Sequence, residues 1–250
     1  RSGKDGLKMR CTNGEVISAS SLIANSLSPD LHHWERRLNH SQCWDRALLV
    51  QILIKYGVSM DIQEVFELVS DDLQKVETEL SRNLESSVLL IPEAGKYILL
   101  SGGKRFRPLI LILSARFCGY TGLHHVPLAG VFEFIHTATL LHDDVVDNAE
   151  VRRGSSSVNA VWGNETSILL GDYLLSKSFS VLTRVGDLSI LKVMSDTTTR
   201  LAQGEIMELQ RCGDPLTTED DYISIITEKT AVLISAACRV GAILGHASHE

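Results

Sequence analysis

The sequence predicts an all-α fold in which long antiparallel helices, joined by short loops, form a bundle. From residue 61 onward, apolar residues recur at intervals of three and four, which is the spacing of one helix face. Clusters of glycine, proline and serine separate the apolar stretches, and such clusters interrupt helices. No stretch between them alternates apolar and polar residues with a period of two, as a half-buried strand would.

Eight helices are predicted, with ends set by those clusters. The first carries an apolar stripe that runs from Ile62 through Val69 to Leu80 opposite a charged face, which is typical of an amphipathic helix. The clusters that separate the later helices are residues 101–108, 118–127, 148–157, 184–187 and 211–221. The predicted helices lie near residues 61–84, 86–101, 104–118, 126–150, 155–161, 164–184, 187–210 and 218–245.

Residues 1–58 differ from the rest of the chain because no periodic pattern persists in them. They are interpreted as an N-terminal segment of short helices or an arm, and no role is assigned to them. Residues 59–250 are predicted to form one helical domain, since the periodic pattern continues through them to the last predicted helix.

The composition excludes several classes of protein. The 250 residues carry a formal net charge of −7 without a basic stripe, so a general nucleic-acid-binding function is not expected. No run approaches the roughly 20 apolar residues that cross a bilayer, so no membrane span is expected. The five cysteines never form a C-x-x-C spacing, which argues against a zinc site or a disulfide framework and predicts a cytoplasmic location.

Three Asp-Asp pairs occur, and their helical neighbours distinguish them. Residues four apart on a helix share a face and lie about 5–6 Å apart at Cβ, so a second carboxylate at that spacing can bind the same cation. Only Asp143 has such a partner, Asp147. The pair at 71–72 is predicted to be solvated surface of the first helix. The pair at 220–221 is predicted to be the first turn of a helix capped by threonine.

The segment around Asp143, Asp144 and Asp147 is largely apolar, with FIHTATLL before it and two valines within it. Buried carboxylates are costly unless a metal or a cation neutralises them. Mg²⁺ fits this pattern because it binds one or two carboxylates together with phosphate oxygens and water. The same helix face continues to Thr139 and His136, about 10 Å along the axis at about 1.5 Å per residue. The residues therefore predict a site for a metal and a phosphate, with His136 as part of it.

Basic residues that could complete this site occur in two loops. In GGKRFRP, two glycines that allow a phosphate to approach the backbone precede Lys104 and Arg107, which are predicted to lie in the first turn of a helix. Arg152 and Arg153 follow the aspartate helix directly. Loops of both kinds also occur as ordinary charged surface, so both interpretations stay open on these residues alone.

A third basic position lies within an apolar helix rich in small residues, TEKTAVLISAACRVGAIL, where Lys229 and Thr230 interrupt the pattern. A lysine at the edge of such a helix often only extends its amine to water. The small residues indicate close helix packing around a pocket, which favours a functional role for this pair.

These segments, in this order, resemble one enzyme family. GGKRFRP, EFIHTATLLHDDVVDNAEVRRG, GNETSILLGDYLL, QGEIMEL and EKTAVLISAACRVGAIL are similar to motifs of the trans-type polyprenyl diphosphate synthases, most closely the bacterial long-chain, octaprenyl-like members. The resemblance covers residues 61 to 246 and identifies residues 59–250 as a polyprenyl synthase domain. It implies an isoprenoid-synthase bundle of helices around a central active-site cavity, usually as a homodimer, that condenses isopentenyl diphosphate with an allylic diphosphate such as farnesyl diphosphate.

The resemblance also implies residue roles. Asp143 and Asp147 correspond to Mg²⁺ ligands that hold the allylic diphosphate, and Asp144 supports them; with Lys229 they make up the catalytic set. The positions that match the isopentenyl diphosphate site are Lys104, Arg107, His136 and Arg153. The positions that match the allylic diphosphate side are Arg152, Lys229 and Thr230.

Product length is implied by the residues below Asp143. Short-chain relatives carry bulky aromatic residues four and five positions before the first aspartate, where this chain has Thr139 and Ala138. The tunnel is therefore expected to admit a long chain, of the kind used as quinone side chains. Phe179 of a later helix is a candidate for its floor.

The sequence departs from the family at its end. The family's second aspartate-rich motif, about ninety residues after the first, does not occur before the chain ends at GHASHE. The domain is therefore expected to be truncated and to hold half of the metal site. A non-catalytic partner subunit of a heteromeric prenyl synthase is one alternative. A metal-dependent phosphohydrolase, suggested by the His142-Asp143 dipeptide, is another, although it leaves the two basic loops unexplained.

Overall fold

The fold is built from α-helices, which confirms the predicted class. The structure, a computed structural model, describes residues 8–10, 16–18, 61–100 and 102–247. In these residues the helices are α1 (Ile62–Leu68), α2 (Ser70–Asn83), α3 (Leu90–Leu100), α4 (Phe106–Phe117), α5 (His125–Val146), α6 (Val158–Trp162), α7 (Asn164–Val185), α8 (Leu188–Arg211), α9 (Glu219–Ile226) and α10 (Val232–Leu244), with a π-helical turn at Thr227–Ala231 between the last two.

The chain divides into two units, Arg1–Leu68 and Val69–Glu250. In the described part of the first unit, strand β1 (Lys8–Arg10) pairs antiparallel with strand β2 (Val16–Ser18), and α1 follows. The predictions for residues 1–58 otherwise fall outside the described residues, and the strand pair was not expected because three-residue strands are too short to show a period.

Helix α5 lies at the centre of the second unit and packs against α2, α4 and α7. Its side chains are buried on several sides, among them Leu128, Phe132, Phe134 and Leu141, which are at most 1% exposed. A helix that is apolar on all sides is a core helix, and each such side chain stabilises the fold by roughly 1.5–3 kcal/mol when buried. The position of α5 therefore places its C-terminal aspartates at the rim of the core.

Helices α4 and α10 pack closely together. A Cβ atom at Gly241 would lie 2.7 Å from the carbonyl oxygen of Leu111, so a larger residue would force the helices apart. The Ser114 hydroxyl donates a hydrogen bond to the carbonyl oxygen of Cys238 across the same contact, at 2.7 Å. This packing fixes α10, and with it the π-helical turn that precedes it.

Several predicted boundaries were wrong. The predicted helix 61–84 is interrupted at Val69, whose φ is −122°. The helix predicted to end at residue 150 ends at Val146, and the helix predicted at 155–161 is replaced by strand β4 and α6. The predicted helix 218–245 contains the π-helical turn. Apart from the break at Val69, these differences lie around the aspartate and lysine motifs, where local structure departs from a regular helix.

A short hairpin follows α5 within the predicted loop 148–157. Strand β3 (Val151–Arg152) pairs antiparallel with strand β4 (Ser155–Ser156), and Arg153 and Gly154 form the turn with φ of 53° and 82°. Two central residues with positive φ make the type I′ turn that suits a two-residue hairpin. The turn therefore requires the glycine of the Arg-Arg-Gly segment and presents Arg153 at its tip.

Of the predictions for the other two Asp-Asp pairs, one is confirmed and the other was wrong for one of its residues. The prediction for 220–221 is confirmed, because Thr218 and Asp221 form a capping box at the start of α9. The prediction that 71–72 is solvated surface was wrong for Asp72, which is 5% exposed. Its Oδ2 accepts a hydrogen bond from Arg116 Nη2 at 2.6 Å and lies 3.0 Å from His125 Nε2.

Replacing Asp72 by asparagine is expected to lower the free energy of unfolding by about 2–4 kcal/mol at pH 7, because Arg116 and Lys75 lose a buried carboxylate. Burial alone would raise the pKa of Asp72, but hydrogen bonds from Lys75 and Arg116 and the nearby His125 bring it below its usual value. Urea unfolding followed by circular dichroism gives the measurement, with Asp71→Asn on the exposed neighbouring residue as control.

The difference in unfolding free energy between wild type and Asp72→Asn is expected to depend on pH. Because the folded pKa of Asp72 lies below the unfolded value of about 4, its contribution is present above that pH and is lost as the pH falls through the folded pKa. The stability difference between wild type and Asp72→Asn should shrink in acid. A difference that is absent at pH 7, or equal for Asp71→Asn, would contradict this assignment.

None of the helices in the described residues is long and apolar enough to cross a membrane.

Candidate active site

The three aspartates of α5 lie in three different environments. Asp143 is partly buried, Asp144 is completely buried, and Asp147 is exposed at the end of the helix. The backbone N–H of Asp147 donates to the carbonyl oxygen of Asp143 at 2.8 Å, so the two residues lie one turn apart. The predicted i, i+4 pair is therefore present, and Asp144 lies on another side of the helix.

Negative charge accumulates around Asp143. Burial, the carboxylate of Glu205 on α8 and the carboxylate of Asp147 raise the pKa of Asp143 to about 6, against the opposing effects of Lys229 and Arg152. Glu205 was not predicted as a site residue, because only the packing of α8 beside α5 reveals it. An acidic group with a strongly perturbed pKa in a cleft is typical of a functional site.

The buried carboxylate of Asp144 forms an ion pair with Arg152. Its Oδ1 accepts a hydrogen bond from Arg152 Nε at 2.6 Å, while its buried Oδ2 has no hydrogen-bond partner. The side-chain amide of Asn159 on α6 donates to the backbone carbonyl of Asp144 at 3.2 Å and to that of Ala149 at 3.1 Å. Asp144 therefore joins the aspartate helix to the hairpin that carries the two arginines.

Four arginines lie close enough to His136 for their charges to affect its pKa. They are called the arginine cluster and consist of Arg105, Arg107, Arg152 and Arg153. Burial, followed by the positive charges of Arg107, Arg153, Arg152 and Arg105, lowers the pKa of His136 to about 3, so its ring is neutral at physiological pH. Burial and the charge of Arg153 also lower the pKa of Arg107, although Glu133 opposes them. Crowding of cations that is only partly balanced by carboxylates is a suitable environment for a polyanion.

The loop before α4 differs from the prediction. Helix α4 begins at Phe106, so Lys104 is not in its first turn; it is exposed in the loop, whereas Arg107 lies within the helix. Arg105 has a left-handed backbone conformation with φ of 46°. The position of the Lys104 side chain is therefore set by the loop conformation and not by helix α4.

Arg105 was missed as a site residue, and its contacts are mainly structural. It donates hydrogen bonds to Glu133 Oε1 at 3.0 Å and to the carbonyl oxygen of Leu99 at 2.9 Å, and it pairs with Glu77. These bonds connect the loop to α5, α3 and α2. They offset the cost of a left-handed arginine, about 1–2 kcal/mol, and fix the loop that leads to Arg107.

Lys229 lies in the π-helical turn Thr227–Ala231. Its Nζ donates to Glu205 Oε2 at 2.9 Å and to Glu208. Burial works to lower the pKa of Lys229, but these two carboxylates and Asp143 raise it well above its usual value. Thr230 is exposed on the next residue. Single π-helical turns occur frequently at functional sites. This turn places a protonated lysine beside the carboxylates of Asp143, Asp147 and Glu205, which are called the acidic cluster.

A glycine makes that placement possible. A Cβ atom at Gly204 of α8 would lie 2.5 Å from the backbone nitrogen of Lys229 and 2.8 Å from the carbonyl carbon of Glu228. Only a glycine therefore lets α8 approach the turn closely enough for Glu205 to meet Lys229. The QGEIMEL segment is part of the family resemblance, and the packing of α8 against the π-helical turn explains its glycine.

An apolar cavity of about 270 Å³ opens beside Asp143. It extends along α5 from Val146 to Ile135, which corresponds to about 16 Å at about 1.5 Å per residue. Its wall includes Ala138 and Thr139, as predicted, together with Leu175 of α7 and Leu201 of α8. Phe179 does not line this cavity; it follows Leu175 by one turn of α7, so its role as a floor stays a prediction.

The acidic end of the cavity fits a divalent cation. Burial is the main cause of the raised pKa of Asp143, and the carboxylates of Glu205 and Asp147 add to it; a bound cation would offset both effects. In the described part of the chain, no group of three or more histidine, cysteine, aspartate or glutamate side chains could hold a metal ion by itself. A cation bound by Asp143 and Asp147 would therefore take further ligands from phosphate and water, as Mg²⁺ commonly does.

Comparison with known proteins identifies the family. The family model described as polyprenyl synthetase matches residues 89–250, a range that includes each predicted site residue. The chain belongs to the polyprenyl synthetase family. The chain is 43% identical over 191 residues to the octaprenyl diphosphate synthase of Escherichia coli (strain K12), an alignment that covers 76% of this chain and 59% of that relative.

Solved structures support the same conclusion. The crystal structure of a decaprenyl diphosphate synthase from Rhodobacter capsulatus matches with a TM-score of 0.72 and 39% identity, covering 74% of this chain and 57% of that one. The crystal structure of a polyprenyl synthase from Caulobacter crescentus CB15, complexed with calcium and isoprenyl diphosphate, matches with a TM-score of 0.74 and 34% identity, covering 75% and 57%. The chain thus spans less than two thirds of the length of these relatives.

Proposed function

We propose that the protein is a long-chain all-trans-polyprenyl diphosphate synthase, which adds isopentenyl diphosphate repeatedly to an allylic diphosphate such as farnesyl diphosphate. The observation that carries the proposal is an acidic cluster at the mouth of an apolar cavity, with a cluster of arginines next to it. Arg152 belongs to both, because it pairs with Asp144 and adds to the positive charge around His136. Such a site can hold two diphosphates next to each other above a hydrocarbon chain.

The arginine cluster is the proposed site of isopentenyl diphosphate. Arg107 and Arg153 supply guanidinium groups that can bind phosphate oxygens with two hydrogen bonds each. Lys104 is exposed in the adjacent loop, and neutral His136 can donate one further hydrogen bond. This arrangement would bind the diphosphate and leave the double bond of isopentenyl diphosphate free to react near the mouth of the cavity.

The acidic cluster is the proposed site of the allylic diphosphate. Asp143 and Asp147 would hold Mg²⁺, and Arg152, Lys229 and Thr230 would contact the phosphate oxygens directly. Bound Mg²⁺ would neutralise the diphosphate and stabilise it as a leaving group. Lys229 is well suited to this role because its two carboxylate partners keep its amine protonated. Preorganised positive charge of this kind stabilises the charge that develops in the transition state.

The proposed reaction has three steps. The carbon–oxygen bond of the allylic diphosphate breaks, and its electron pair leaves with pyrophosphate, which gives an allylic cation. The double bond of isopentenyl diphosphate attacks that cation and forms the new carbon–carbon bond. The resulting cation loses a proton to the departing pyrophosphate. Apolar side chains such as Ile135 and Leu201 in the cavity wall would keep water from the cation.

The cavity supports a long product. Ala138 and Thr139 leave space directly below Asp143, where the growing chain would lie. Relatives named octaprenyl and decaprenyl diphosphate synthases agree with this choice. A homodimer, a cytoplasmic location and use of the product as a quinone side chain are further predictions from the family resemblance.

Binding of isopentenyl diphosphate tests the assignment of the arginine cluster. Arg153→Gln is expected to weaken binding by about tenfold, because one charge-assisted contact to the diphosphate is lost. Equilibrium dialysis with radiolabelled isopentenyl diphosphate gives the dissociation constant. Arg239→Gln on α10, outside the cluster, serves as the matched control. Absence of saturable binding by the wild type, or the same loss in both variants, would refute the assignment.

A further inference from the structure

The four residues of the arginine cluster come from two separate segments of the chain. Arg105 and Arg107 belong to the loop and first turn of α4, whereas Arg152 and Arg153 belong to the β3–β4 hairpin. A Cβ atom at Gly103 would lie 3.1 Å from Arg105 Nη1 and 3.0 Å from Arg153 Nη1, so the segments meet at this glycine. Like charges at such short range repel one another. The fold must therefore hold the hairpin against the loop before a diphosphate arrives.

Helix α3 contacts both segments. The carbonyl oxygen of Leu99 accepts a hydrogen bond from Arg105 Nη2 at 2.9 Å. Two residues earlier, the hydroxyl of Tyr97 donates a hydrogen bond to the carbonyl oxygen of Ser156 at 2.8 Å. Ser156 is the residue of β4 that pairs with Val151, directly before Arg152. A single helix thus contacts the loop on one side and the base of the hairpin on the other.

The ring of Tyr97 adds a second contact. It packs edge to face against Trp162, with ring centroids 5.0 Å apart and an angle of 78° between the planes. Trp162 is the last residue of α6, which follows the hairpin almost immediately. Edge-to-face aromatic pairs are favourable beyond the area they bury. Tyr97 therefore contacts both the hairpin and the helix that comes after it.

Among the described residues, the hairpin is also held to α5 and to the turn that follows that helix. Arg152 pairs with Asp144, and the hydroxyl of Ser157 donates to the carbonyl oxygen of Ala149 at 2.6 Å. These bonds hold the start of the hairpin beside the aspartates, but they do not connect it to α3 or to the loop before α4. The Tyr97 contacts supply that connection.

We propose that Tyr97 is a positioning residue, which sets the spacing between the two arginine segments and so preorganises the site for isopentenyl diphosphate. Nothing in this role requires Tyr97 to touch the substrate; it acts through Ser156 and Trp162 on Arg153 at the tip of the hairpin, whereas Asp144 holds Arg152 independently. Rigid support of a binding group in its bound geometry raises affinity because less ordering remains to be done on binding. The inference rests on the proposed function of the arginine cluster.

The test compares Tyr97→Phe with the wild type. Phenylalanine retains the ring against Trp162 and removes only the hydroxyl that reaches Ser156. Affinity for isopentenyl diphosphate should fall by about fivefold, the value of one neutral hydrogen bond. Affinity for farnesyl diphosphate should stay unchanged, and the melting temperature should fall by no more than about 2–4 °C. Tyr173→Phe on α7, whose hydroxyl lies 3.5 Å from the Asn83 carbonyl oxygen, is the matched control. Amide hydrogen exchange of residues 151–157 should be faster in Tyr97→Phe alone.

The possible results separate the inference from the proposed function. If the wild type binds isopentenyl diphosphate and Tyr97→Phe binds it equally well, the positioning role is wrong and the proposed function stands. If Tyr97→Phe weakens both ligands equally and lowers the melting temperature, Tyr97 is merely structural and the inference fails. Absence of binding by the wild type would overturn the proposed function and the inference together. Selective weakening with faster hairpin exchange supports the inference.

Discussion

Replacing Asp143 by asparagine is expected to reduce prenyl transfer by about 10²–10³-fold, the effect typical of removing one group that stabilises transition-state charge. The substitution keeps the shape of the side chain and removes the charge at the mouth of the cavity. Prenyl transfer is measured as radiolabel from isopentenyl diphosphate that enters the organic phase. Asp220→Asn, an exposed aspartate in the first turn of α9, is the control and should retain full activity.

The same substitution should not destabilise the fold. The pKa of Asp143 is raised from 3.8 to about 6, so the folded state favours the protonated carboxyl and ionisation costs stability as the pH rises through that value. In the presence of a chelator, Asp143→Asn should be more stable than wild type at pH 8 by about 1–2 kcal/mol, after allowance for solvent screening, and equally stable below pH 4. Loss of activity together with loss of stability would indicate a structural role instead.

Replacing Ala138 by phenylalanine is expected to shorten the product by several isoprene units. Ala138 is 3% exposed and lines the cavity five residues before Asp143, about 7.5 Å along the helix at about 1.5 Å per residue. A ring at this position would project into a cavity of about 270 Å³ and block the path of the growing chain. The products, after removal of the diphosphate, are separated by reversed-phase chromatography.

Two comparisons make this prediction specific. Leu169→Phe adds the same ring on an exposed position of α7 and should leave the product length unchanged. A series of alanine, valine, leucine and phenylalanine at position 138 should shorten the product progressively as the side chain grows. Unchanged product lengths across the series would contradict the assignment of this cavity as the product site.

The sequence was sufficient for the helical class and for the residues that share one helix face. Asp143, Asp147 and Thr139 could be grouped because helical spacing alone decides that they are neighbours, whereas Ala138 was implied by the family resemblance. The structure places Asp143, Thr139 and Ala138 at one cavity and Asp147 one helical turn after Asp143. Local periodicity carries this information, so no knowledge of tertiary contacts was needed.

The burial of Asp72 could not be predicted in the same way. Its pattern on α2 matches a solvated face, yet Arg116 of α4 and His125 of α5 cover it. These partners lie far away in sequence, and nothing in the local pattern indicates that they meet it. Glu205, which faces Asp143 and Lys229 from α8, was missed for the same reason.

Irregular backbone was the second source of error. Arg105 in its left-handed conformation, the type I′ turn at Arg153 and Gly154, and the π-helical turn around Lys229 all interrupt regular patterns. Each of these positions carries or supports a charged residue of the candidate site. Departures from local rules at functional positions are expected, because the site requires geometry that regular helices do not provide.

The most direct test of the proposed function is incubation of the full-length protein with farnesyl diphosphate, radiolabelled isopentenyl diphosphate and Mg²⁺, followed by separation of the products by chain length. The account predicts labelled all-trans-polyprenyl diphosphates of about 40 carbons or more, a length that the small residues at 138 and 139 would allow. Absence of elongation, or hydrolysis of the diphosphates without a new carbon–carbon bond, would contradict it.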